Sequence, residues 1–530
     1  MTIDLKDRPQ EDRHPLSRLL LHRDPIPFWI ATGLLIVFSV PWFFLNPING
    51  DTGFFARSGS LMLNGARLYR DIVEPNAPPP YLFGAACAAL GRIVGLAPEP
   101  AFLLTFTFII CFVIYRTSRI LSRLFPDQPY VAPLLTVMVT YCLFPYAQDL
   151  FGEREHIVTC MILPWLFASS GDSEVRSRKG QIVDGLMAGI GISMKPFYIA
   201  VYCAVQCMNL ISKRRRTQVF RVDNVLIAAV EAAIAVSTIA FFPGYVFIVR
   251  MALAYHNYGN YQFAFLSRDF LLTLLTLCLM NKTVFLLFAS NVLSLSSDSR
   301  QPLSILRNLI LAVGWSMTLV MIYQREGYPY HYYPIDVMLI LTVTTLVLDG
   351  ARASGRNTQR YLALALSAGV VALGIAQGTQ TREMPNMTGP MLPVVRREAR
   401  GKPVLVLSTS LWVSSPLMTY SGVSLAWRFP LLWTLGGLYP DKPAADNPHP
   451  YRSREEMDVY ERYLVDSLNQ DVGLHPPQLI IVETGDNKEG FHHGDFDYLD
   501  YFMHDPRFAQ FFSKYEQLAV ITRYTLYRRR

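Results

Sequence analysis

The sequence predicts a polytopic α-helical membrane protein that carries a C-terminal α/β domain. Of the 530 residues, 51% are hydrophobic and only 17% are charged, whereas a soluble globular protein has roughly 25% charged residues. Long apolar runs alternate with short polar breaks as far as residue 378, and the composition then becomes that of a water-soluble domain. We therefore predict a cytoplasmic N-terminal segment (1–27), a transmembrane domain (28–378), a linker (379–400) and an α/β domain (401–530).

The apolar runs are candidates for membrane-spanning helices, which need about 20 apolar residues each. The first run is expected to be a signal anchor, because no small-residue cleavage site follows it. Lys195-Pro196 separates two short runs, and a proline at that place predicts a bend. The candidates are 28–45, 79–96, 101–121, 130–147, 156–170, 181–194, 197–211, 224–243, 270–297, 304–323, 333–349 and 361–378.

Basic residues indicate the orientation, because they concentrate in cytoplasmic loops. Clusters at 6–23, 176–179, 213–221 and 352–360 are predicted to be cytoplasmic, which places the α/β domain on the extracytoplasmic side. The arginines at 116, 119 and 123 fit the same side only if 79–96 is re-entrant or lies on the outer face. This gives about eleven net crossings. The alternative is that 79–96 spans the membrane and a later segment does not.

The C-terminal domain shows strand and helix signals. Residues 402–410 and 477–484 are β-branched runs typical of strands, and 521–529 alternates like a final strand. Residues 453–469 predict an amphipathic helix with a capping box formed by Ser453 and Glu456. No nucleotide-binding glycine motif is present, and all seven cysteines lie in apolar segments, so no disulfide framework is expected.

Ionisable residues collect on the predicted outer side. A charged side chain at membrane depth costs roughly 2.5–3.5 kcal/mol, so such groups pair or line a wet cavity. Carboxylates offer a general base, and Arg, Lys and His bind phosphate. This combination predicts chemistry on a phosphorylated lipid at the membrane surface. The residues concerned are Asp51, Glu74, Glu153, Arg154, Glu155, His156, Lys195, Arg325, Glu326 and His331.

Simpler interpretations of these residues stay open. Asp51 is compatible with a solvated loop residue, and the EREH run (153–156) with an ion-pair cluster that joins two helix ends. Lys195 is compatible with a side chain that snorkels to the interface, and YPYHYYP (328–334) with an aromatic belt. A predicted amphipathic helix at 52–64 is compatible with a segment on the membrane surface. Their coincidence on one predicted side favours a functional site.

The motifs also follow a familiar order along the chain. Asp51 comes soon after the first helix and precedes a G-x-x-x-Y element that ends at Tyr69. The order and type of these motifs resemble the bacterial GT-C glycosyltransferases, which are related to the protein mannosyltransferases and the aminoarabinose transferase. The pattern departs where Thr52, Glu153 and Arg325 replace the usual Glu, Gln and Lys. The later elements are NAPPPY (76–81), GEREH (152–156), GISMKP (191–196) and QREGYPYHYYP (324–334).

The resemblance implies a sugar donor linked to polyprenyl phosphate and transfer at the outer face of the bacterial cytoplasmic membrane, usually with inversion. It implies Asp51 and Glu155 as catalytic residues, with Asp51 as the general base. It leaves the use of a divalent metal open. The acceptor is expected to be an envelope glycan, a lipid or a protein, with membrane lipids and no nucleic acid as partners. The implied donor-phosphate ligands are Arg154, His156, Lys195, Arg325 and His331, and the implied acceptor-binding or orienting residues are Glu74 and Glu153.

Two other functions stay open from the sequence. A transporter or flippase for a lipid-linked sugar would use the same cations but would need no base. A non-catalytic envelope assembly protein would use the C-terminal domain as a binding module.

Overall fold

The structure is a computed structural model that describes most of the chain. The described residues are 25–171, 177–212, 215–255, 268–295, 301–324, 328–380, 389–440, 451–486, 488–491 and 496–530. Two predicted site residues, Arg325 and Glu326, lie outside them.

The membrane domain is built from helices that follow one another along the chain. The first five are α1 (Ile26–Leu45), α2 (Gly50–Leu63), α3 (Pro79–Val94), α4 (Pro98–Leu124) and α5 (Val131–Leu143). The next five are α6 (Arg154–Ala168), α7 (Arg178–Ser193), α8 (Ile199–Ile211), α9 (Val222–Phe241) and α10 (Gly244–Tyr255). The last five are α11 (Arg268–Met280), α12 (Lys282–Ser294), α13 (Pro302–Gln324), α14 (Pro329–Ala353) and α15 (Arg356–Gly378).

By length and composition, six of the described helices could cross a membrane: α1, α4, α9, α13, α14 and α15. The pair α11 and α12 would add a seventh span, but it bends by 86° at Asn281. The predicted span 270–297 is therefore two helices, and residues 244–255, which lie outside the predicted spans, form α10. The total of about eleven crossings stays a prediction.

The helix predicted at 52–64 is present as α2, but it packs against α3 instead of lying free on a surface. Gly59 and Gly84 let the two backbones approach closely. A Cβ atom on Gly84 would lie 2.1 Å from the carbonyl oxygen of Phe55. The close crossing fixes the position of α2 and hence of Asp51 in its first turn.

The C-terminal domain is a five-stranded sheet in the order β2-β1-β3-β5-β4. The strand β1 pairs in parallel with β2 and β3, and β5 pairs antiparallel with β3 and β4. The strands are β1 (Pro403–Leu407), β2 (Ser424–Leu425), β3 (Leu479–Glu483), β4 (Tyr515–Ile521) and β5 (Tyr524–Arg529). The helices are α16 (Leu392–Ala399), α17 (Met418–Ser421), α18 (Leu435–Leu438), α19 (Val459–Leu474), α20 (Tyr498–Met503) and α21 (Pro506–Phe512).

Two local predictions in this domain have the wrong start. The final strand predicted at 521–529 is present as β5, but it begins at Tyr524, because the chain turns between Ile521 and Tyr524 and forms a hairpin. The predicted helix start at Ser453 is also wrong, because α19 begins after Asp458, whose side chain accepts hydrogen bonds from the backbone NH groups of Tyr460 and Glu461. Ser453 and Glu456 do form a hydrogen bond, but it closes a turn that precedes the helix.

The C-terminal domain packs on one end of the membrane helices. The backbone NH of Ile48 donates to the hydroxyl of Tyr420 at 2.8 Å, and the Thr419 hydroxyl donates to Glu99 at 3.2 Å. The core of the domain is continuous with buried residues of α2, α3 and α10. The predicted linker contributes α16, whose Val395 and Ala399 are buried against the sheet. The domain therefore forms a wall above the helix ends.

Candidate active site

A cavity of about 760 Å³ lies between the helix ends and the C-terminal domain. Its polar side is formed by Asp51 and by the connections that precede α3, α6 and α8. Its other walls are formed by α10, by the junction of α13 and α14, and by loops of the C-terminal domain. Segments far apart in the chain therefore meet around one space.

Asp51 and Arg154 face each other across the polar side. Asn49 caps α2 by accepting a hydrogen bond from the backbone NH of Asp51 at 2.9 Å, which holds Asp51 in the first turn. Arg154 is the first residue of α6, and its Nη2 lies 3.5 Å from Asp51 Oδ2. The guanidinium also lies 5.7 Å from the ring centre of Phe55. The carboxylate and the guanidinium are thus held by two helix N-termini.

Glu74 anchors the loop that supports Arg154. Its Oε2 accepts hydrogen bonds from the backbone NH of Asn76 at 2.9 Å, from the Asn76 amide at 2.6 Å and from the Tyr81 hydroxyl at 2.7 Å. The amide oxygen of Asn76 accepts in turn from Arg154 Nη1. Burial raises the pKa of Glu74 above its ordinary value. Glu74 therefore orients a guanidinium through Asn76.

Lys195 belongs to a buried triad with Glu155 and His331. Its Nζ lies 3.1 Å from Glu155 Oε1 and 3.0 Å from His331 Nε2. The lysine follows the end of α7, where the chain is extended before the turn that starts at Pro196. The Glu155 side chain is 0% exposed, whereas that of Lys195 keeps 10%. Only the lysine of this triad lines the cavity.

Glu153 precedes α6 and also lines the cavity. Burial raises the pKa of Glu153 well above its ordinary value, and the nearby carboxylates of Asp51 and Glu155 raise it further. Adjacent carboxylates in a poorly solvated site do not all ionise. Burial and the neighbouring carboxylates therefore favour the protonated form of Glu153.

His156 lies behind the cavity wall. It is fully buried, and its Nδ1 accepts a hydrogen bond from the backbone NH of Gly152 at 3.2 Å. Its ring packs against Phe106 and Tyr333. Gly152 has a φ of 84°, and a Cβ there would lie 2.8 Å from a methyl carbon of Thr52, so the turn requires glycine.

The structure thus divides the predicted site residues into two groups and leaves Arg325 undescribed. One group lines the cavity, and the other stands behind its wall. Those that line it are Asp51, Glu74, Glu153, Arg154 and Lys195. Those behind it are Glu155, His156 and His331, which are buried and do not line the cavity.

Other residues of the cavity were not predicted. Asn76 belongs to the NAPPPY motif, and its amide side chain, close in sequence to Glu74, is a feature that could have indicated a place in the site. Glu489 comes from the C-terminal domain, and its Oε1 accepts a hydrogen bond from the Tyr328 hydroxyl at 3.2 Å. Burial raises the pKa of Glu489 above its ordinary value. No motif in the sequence links Glu489 or Trp412 to this site.

No cluster of three or more His, Cys, Asp or Glu side chains suited to a metal occurs among the described residues.

Of the comparisons with known proteins, the one with solved structures supports the predicted fold. No protein-family model and no curated protein matches the sequence. Among solved structures, the chain is similar to ArnT from Cupriavidus metallidurans, determined with undecaprenyl phosphate bound. The TM-score is 0.54 with 11% sequence identity, over 97% of this chain and 98% of that chain. The protein is therefore a multi-pass membrane protein with the fold of ArnT, and the fold expected from its motif order is confirmed.

Proposed function

We propose that the protein is a glycosyltransferase that moves a sugar from a polyprenyl-phosphate donor to an envelope glycan, lipid or protein. The observation that supports this most directly is the meeting of Asp51, Arg154 and Lys195 on one polar face of a cavity whose other face is apolar. A base, two cations and an apolar track are the groups that such a donor and an acceptor hydroxyl require.

Asp51 is the proposed general base. The Asp51 side chain is 20% exposed, whereas that of Glu155 is fully buried, so of these two carboxylates Asp51 is the one that can reach an acceptor hydroxyl. Asp51 takes the hydroxyl proton while the acceptor oxygen bonds to the anomeric carbon. The bond from that carbon to the phosphate oxygen breaks, and polyprenyl phosphate leaves with the electron pair. Attack opposite the phosphate inverts the anomeric carbon.

Arg154 and Lys195 are the proposed ligands of the donor phosphate. Both side chains line the cavity, and both can donate charge-assisted hydrogen bonds to phosphate oxygens. Such donors stabilise the negative charge that develops on the leaving phosphate. Glu155 and His331 contact Lys195 from behind and are proposed as positioning residues.

The apolar face suits a polyprenyl chain. Helix α10 contributes Tyr245, Val249, Ala252 and Leu253, which share one side of the helix at spacings of four, three and one. Leu253 is 68% exposed. The placement of this end on the outer side of the cytoplasmic membrane is part of the proposal. It is supported by the basic residues at the opposite ends of the helices.

The test compares purified full-length protein and its Asp51→Asn variant in proteoliposomes, with a panel of radiolabelled polyprenyl-phosphate sugars and an envelope extract as acceptor. Loss of a general base lowers a rate by roughly 10²–10⁴-fold, and donor binding should persist. Asp127→Asn, an exposed change in the loop after α4, is the matched control and should keep the wild-type rate. A wild-type rate of transfer by Asp51→Asn would show that Asp51 is not the general base. Translocation of the donor without transfer would favour a flippase.

Sidedness is tested separately. Lys402 is exposed in the C-terminal domain, and a Lys402→Cys variant in intact cells should react with a membrane-impermeant maleimide added outside the cytoplasmic membrane. Labelling only after lysis would reverse the proposed orientation.

A further inference from the structure

A second, smaller cavity of about 150 Å³ lies at the opposite ends of the helices that carry the active site. Arg154 begins α6 at the active site, and Ala168 ends it at this second cavity. Their separation is roughly 21 Å at 1.5 Å per residue. The second cavity thus lies near the other membrane face. A single water needs only roughly 15 Å³ of such space, so the cavity admits a larger group.

The lining of this cavity is basic. Arg116, Arg119 and Arg123 all contribute from the last turns of α4, and no acidic residue lines the space among the residues that the structure describes, which omit 172–176. Arg116 is neutralised by Asp184, at 3.0 Å. Arg119 and Arg123 are exposed, and neither has a salt-bridge partner among the residues that the structure describes. Two guanidinium groups therefore line the cavity with no acidic partner in the described part of the chain.

The first turn of α7 adds to the positive charge. Ser177 caps this helix, and both Ser177 and Gly180 line the cavity. The first turn contains Arg178 and Lys179 and no acidic residue. Helix N-termini carry partial positive charge and favour anions, so two basic residues at this place oppose the usual preference. A bound anion would relieve the repulsion.

An apolar stripe leads to the arginines along the outer side of α4. Phe108, Phe112 and Tyr115 are 66%, 44% and 56% exposed, and Arg119 follows at the next step of the same helical face. Exposed aromatic side chains in a spanning helix contact lipid chains. The geometry thus joins an acyl-chain surface to a pair of guanidinium groups at one end of the same helix, which is the arrangement of a phospholipid site and not that of a site for a soluble anion.

We propose that the basic cavity binds the phosphate of an anionic phospholipid headgroup, with Arg119 and Arg123 as the principal ligands and one acyl chain along Phe108, Phe112 and Tyr115. Basic pockets between membrane helices bind such headgroups. The bound lipid would fix the relative positions of α4, α6 and α7, two of which also carry or precede catalytic-cavity residues.

The test is native mass spectrometry of delipidated full-length protein titrated with phosphatidylglycerol or phosphatidylcholine. The wild type should retain phosphatidylglycerol preferentially. Arg119→Gln/Arg123→Gln should bind it roughly thirtyfold more weakly, since each basic residue contributes to anionic-lipid affinity. Arg119→Lys/Arg123→Lys should keep the preference. Arg356→Gln, an exposed change at the start of α15, is the matched control.

Several outcomes would overturn the proposal. Equal retention of the two lipids by the wild type would do so, as would unchanged phosphatidylglycerol binding by the double Gln variant. Displacement of the lipid by soluble glycerol phosphate at equal concentration would indicate a site for a free anion instead. If the double Gln variant unfolds, the single Arg119→Gln variant provides the same comparison. Because the readout is lipid retention, its result is independent of the transferase activity.

Discussion

The two cations of the candidate active site, Lys195 and Arg154, each contact a carboxylate, but the two carboxylates differ in exposure. Lys195 is close to a fully buried carboxylate, at 3.1 Å, whereas Arg154 lies 3.5 Å from the accessible Asp51. A buried partner fixes a side chain but cannot meet substrate. An accessible partner at longer range can exchange its contact with the guanidinium for a contact with an acceptor. This difference supports the proposal that Glu155 positions Lys195 and that Asp51 is the reacting carboxylate.

Replacement of Glu155 by Gln should therefore affect donor binding more than the chemical step. The change leaves Lys195 without its carboxylate, and breaking a buried ion pair costs about 3–5 kcal/mol of stability. We expect a lower unfolding temperature and a donor KM raised about tenfold, with a smaller change in kcat. Steady-state kinetics across donor concentrations measure the split. Glu231→Gln in α9, away from the cavity, is the control. A fall in kcat at unchanged KM would show that Glu155 acts in the chemical step.

The raised pKa of Glu153 predicts how the free energy of unfolding depends on pH. Its pKa is raised above the ordinary value of 4.5, so the folded state binds a proton that the unfolded chain releases. Stability is then greatest below pH 4.5 as far as this group is concerned and falls as pH rises towards the raised value. Unfolding temperatures measured in a pH series should decline over that range.

Glu153→Gln imitates the protonated group and should flatten this decline. Glu74 shifts in the same direction, so the slope should shrink without vanishing. Glu455→Gln, an exposed change, should keep the wild-type slope. A Glu153→Gln profile that coincides with the wild type would show that Glu153 is ionised in the folded protein.

At the scale of elements, the starts of two helices position the proposed catalytic groups. Asp51 and Arg154 both lie in the first turn of a helix, α2 and α6 respectively. The Asn49 side chain caps α2 and also donates from its amide to the backbone carbonyl of Asp149 at 2.9 Å. One residue therefore joins the start of α2 to the loop before α6.

Asn49→Ala should lower both stability and activity. Loss of an N-cap costs about 1 kcal/mol, and Asp51 would lose the contact that holds its backbone. Asn281 offers a matched control, because it caps α12 in the same way, by accepting from Thr283 and Val284, and lies away from the cavity. Asn281→Ala should cost similar stability and leave transfer intact. Equal losses of activity in both variants would show that the loss follows from lower stability and not from the position of Asp51.

The elements that the sequence could predict are those with a strong hydrophobic signal. Apolar runs marked the long helices, and the motif order indicated the fold. Local chemistry was less decisive where two signals competed. Ser453 and Glu456 have the spacing of a capping box, but Asp458 lies closer to the apolar face of α19 and is the residue that caps it. Likewise, the alternating pattern at 521–529 gave no indication of the turn before β5. Thr522 adopts a positive φ of 52° in that turn, a conformation for which glycine is the usual sequence signal.

At the scale of the whole molecule, the cavity is completed by the C-terminal domain. Thr409, Trp412 and Glu489 line it from sheet loops, and the Tyr328 hydroxyl donates to Glu489. These residues lie far from the membrane motifs in sequence. Their convergence depends on how the domain docks, which neither periodicity nor local motifs encode. The polar side of the cavity, which the membrane domain supplies, could therefore be predicted from the sequence, whereas the wall supplied by the C-terminal domain could not.

The hydrogen bond between Tyr328 and Glu489 offers a measure of how far docking supports transfer. If the domain positions the cavity wall through this contact, Tyr328→Phe and Glu489→Gln should each lower kcat/KM, and the double variant should be little worse than either single one. A neutral or exposed hydrogen bond contributes about 1 kcal/mol, so the coupling free energy in the double-mutant cycle should be of that size. Arg454 and Asp466 form an exposed ion pair within the same domain, at 2.6 Å, and the cycle Arg454→Gln/Asp466→Asn should leave kcat/KM unchanged. Strictly additive losses for Tyr328 and Glu489 would mean that the two residues act on substrate separately and that the domain contributes its wall without this bond.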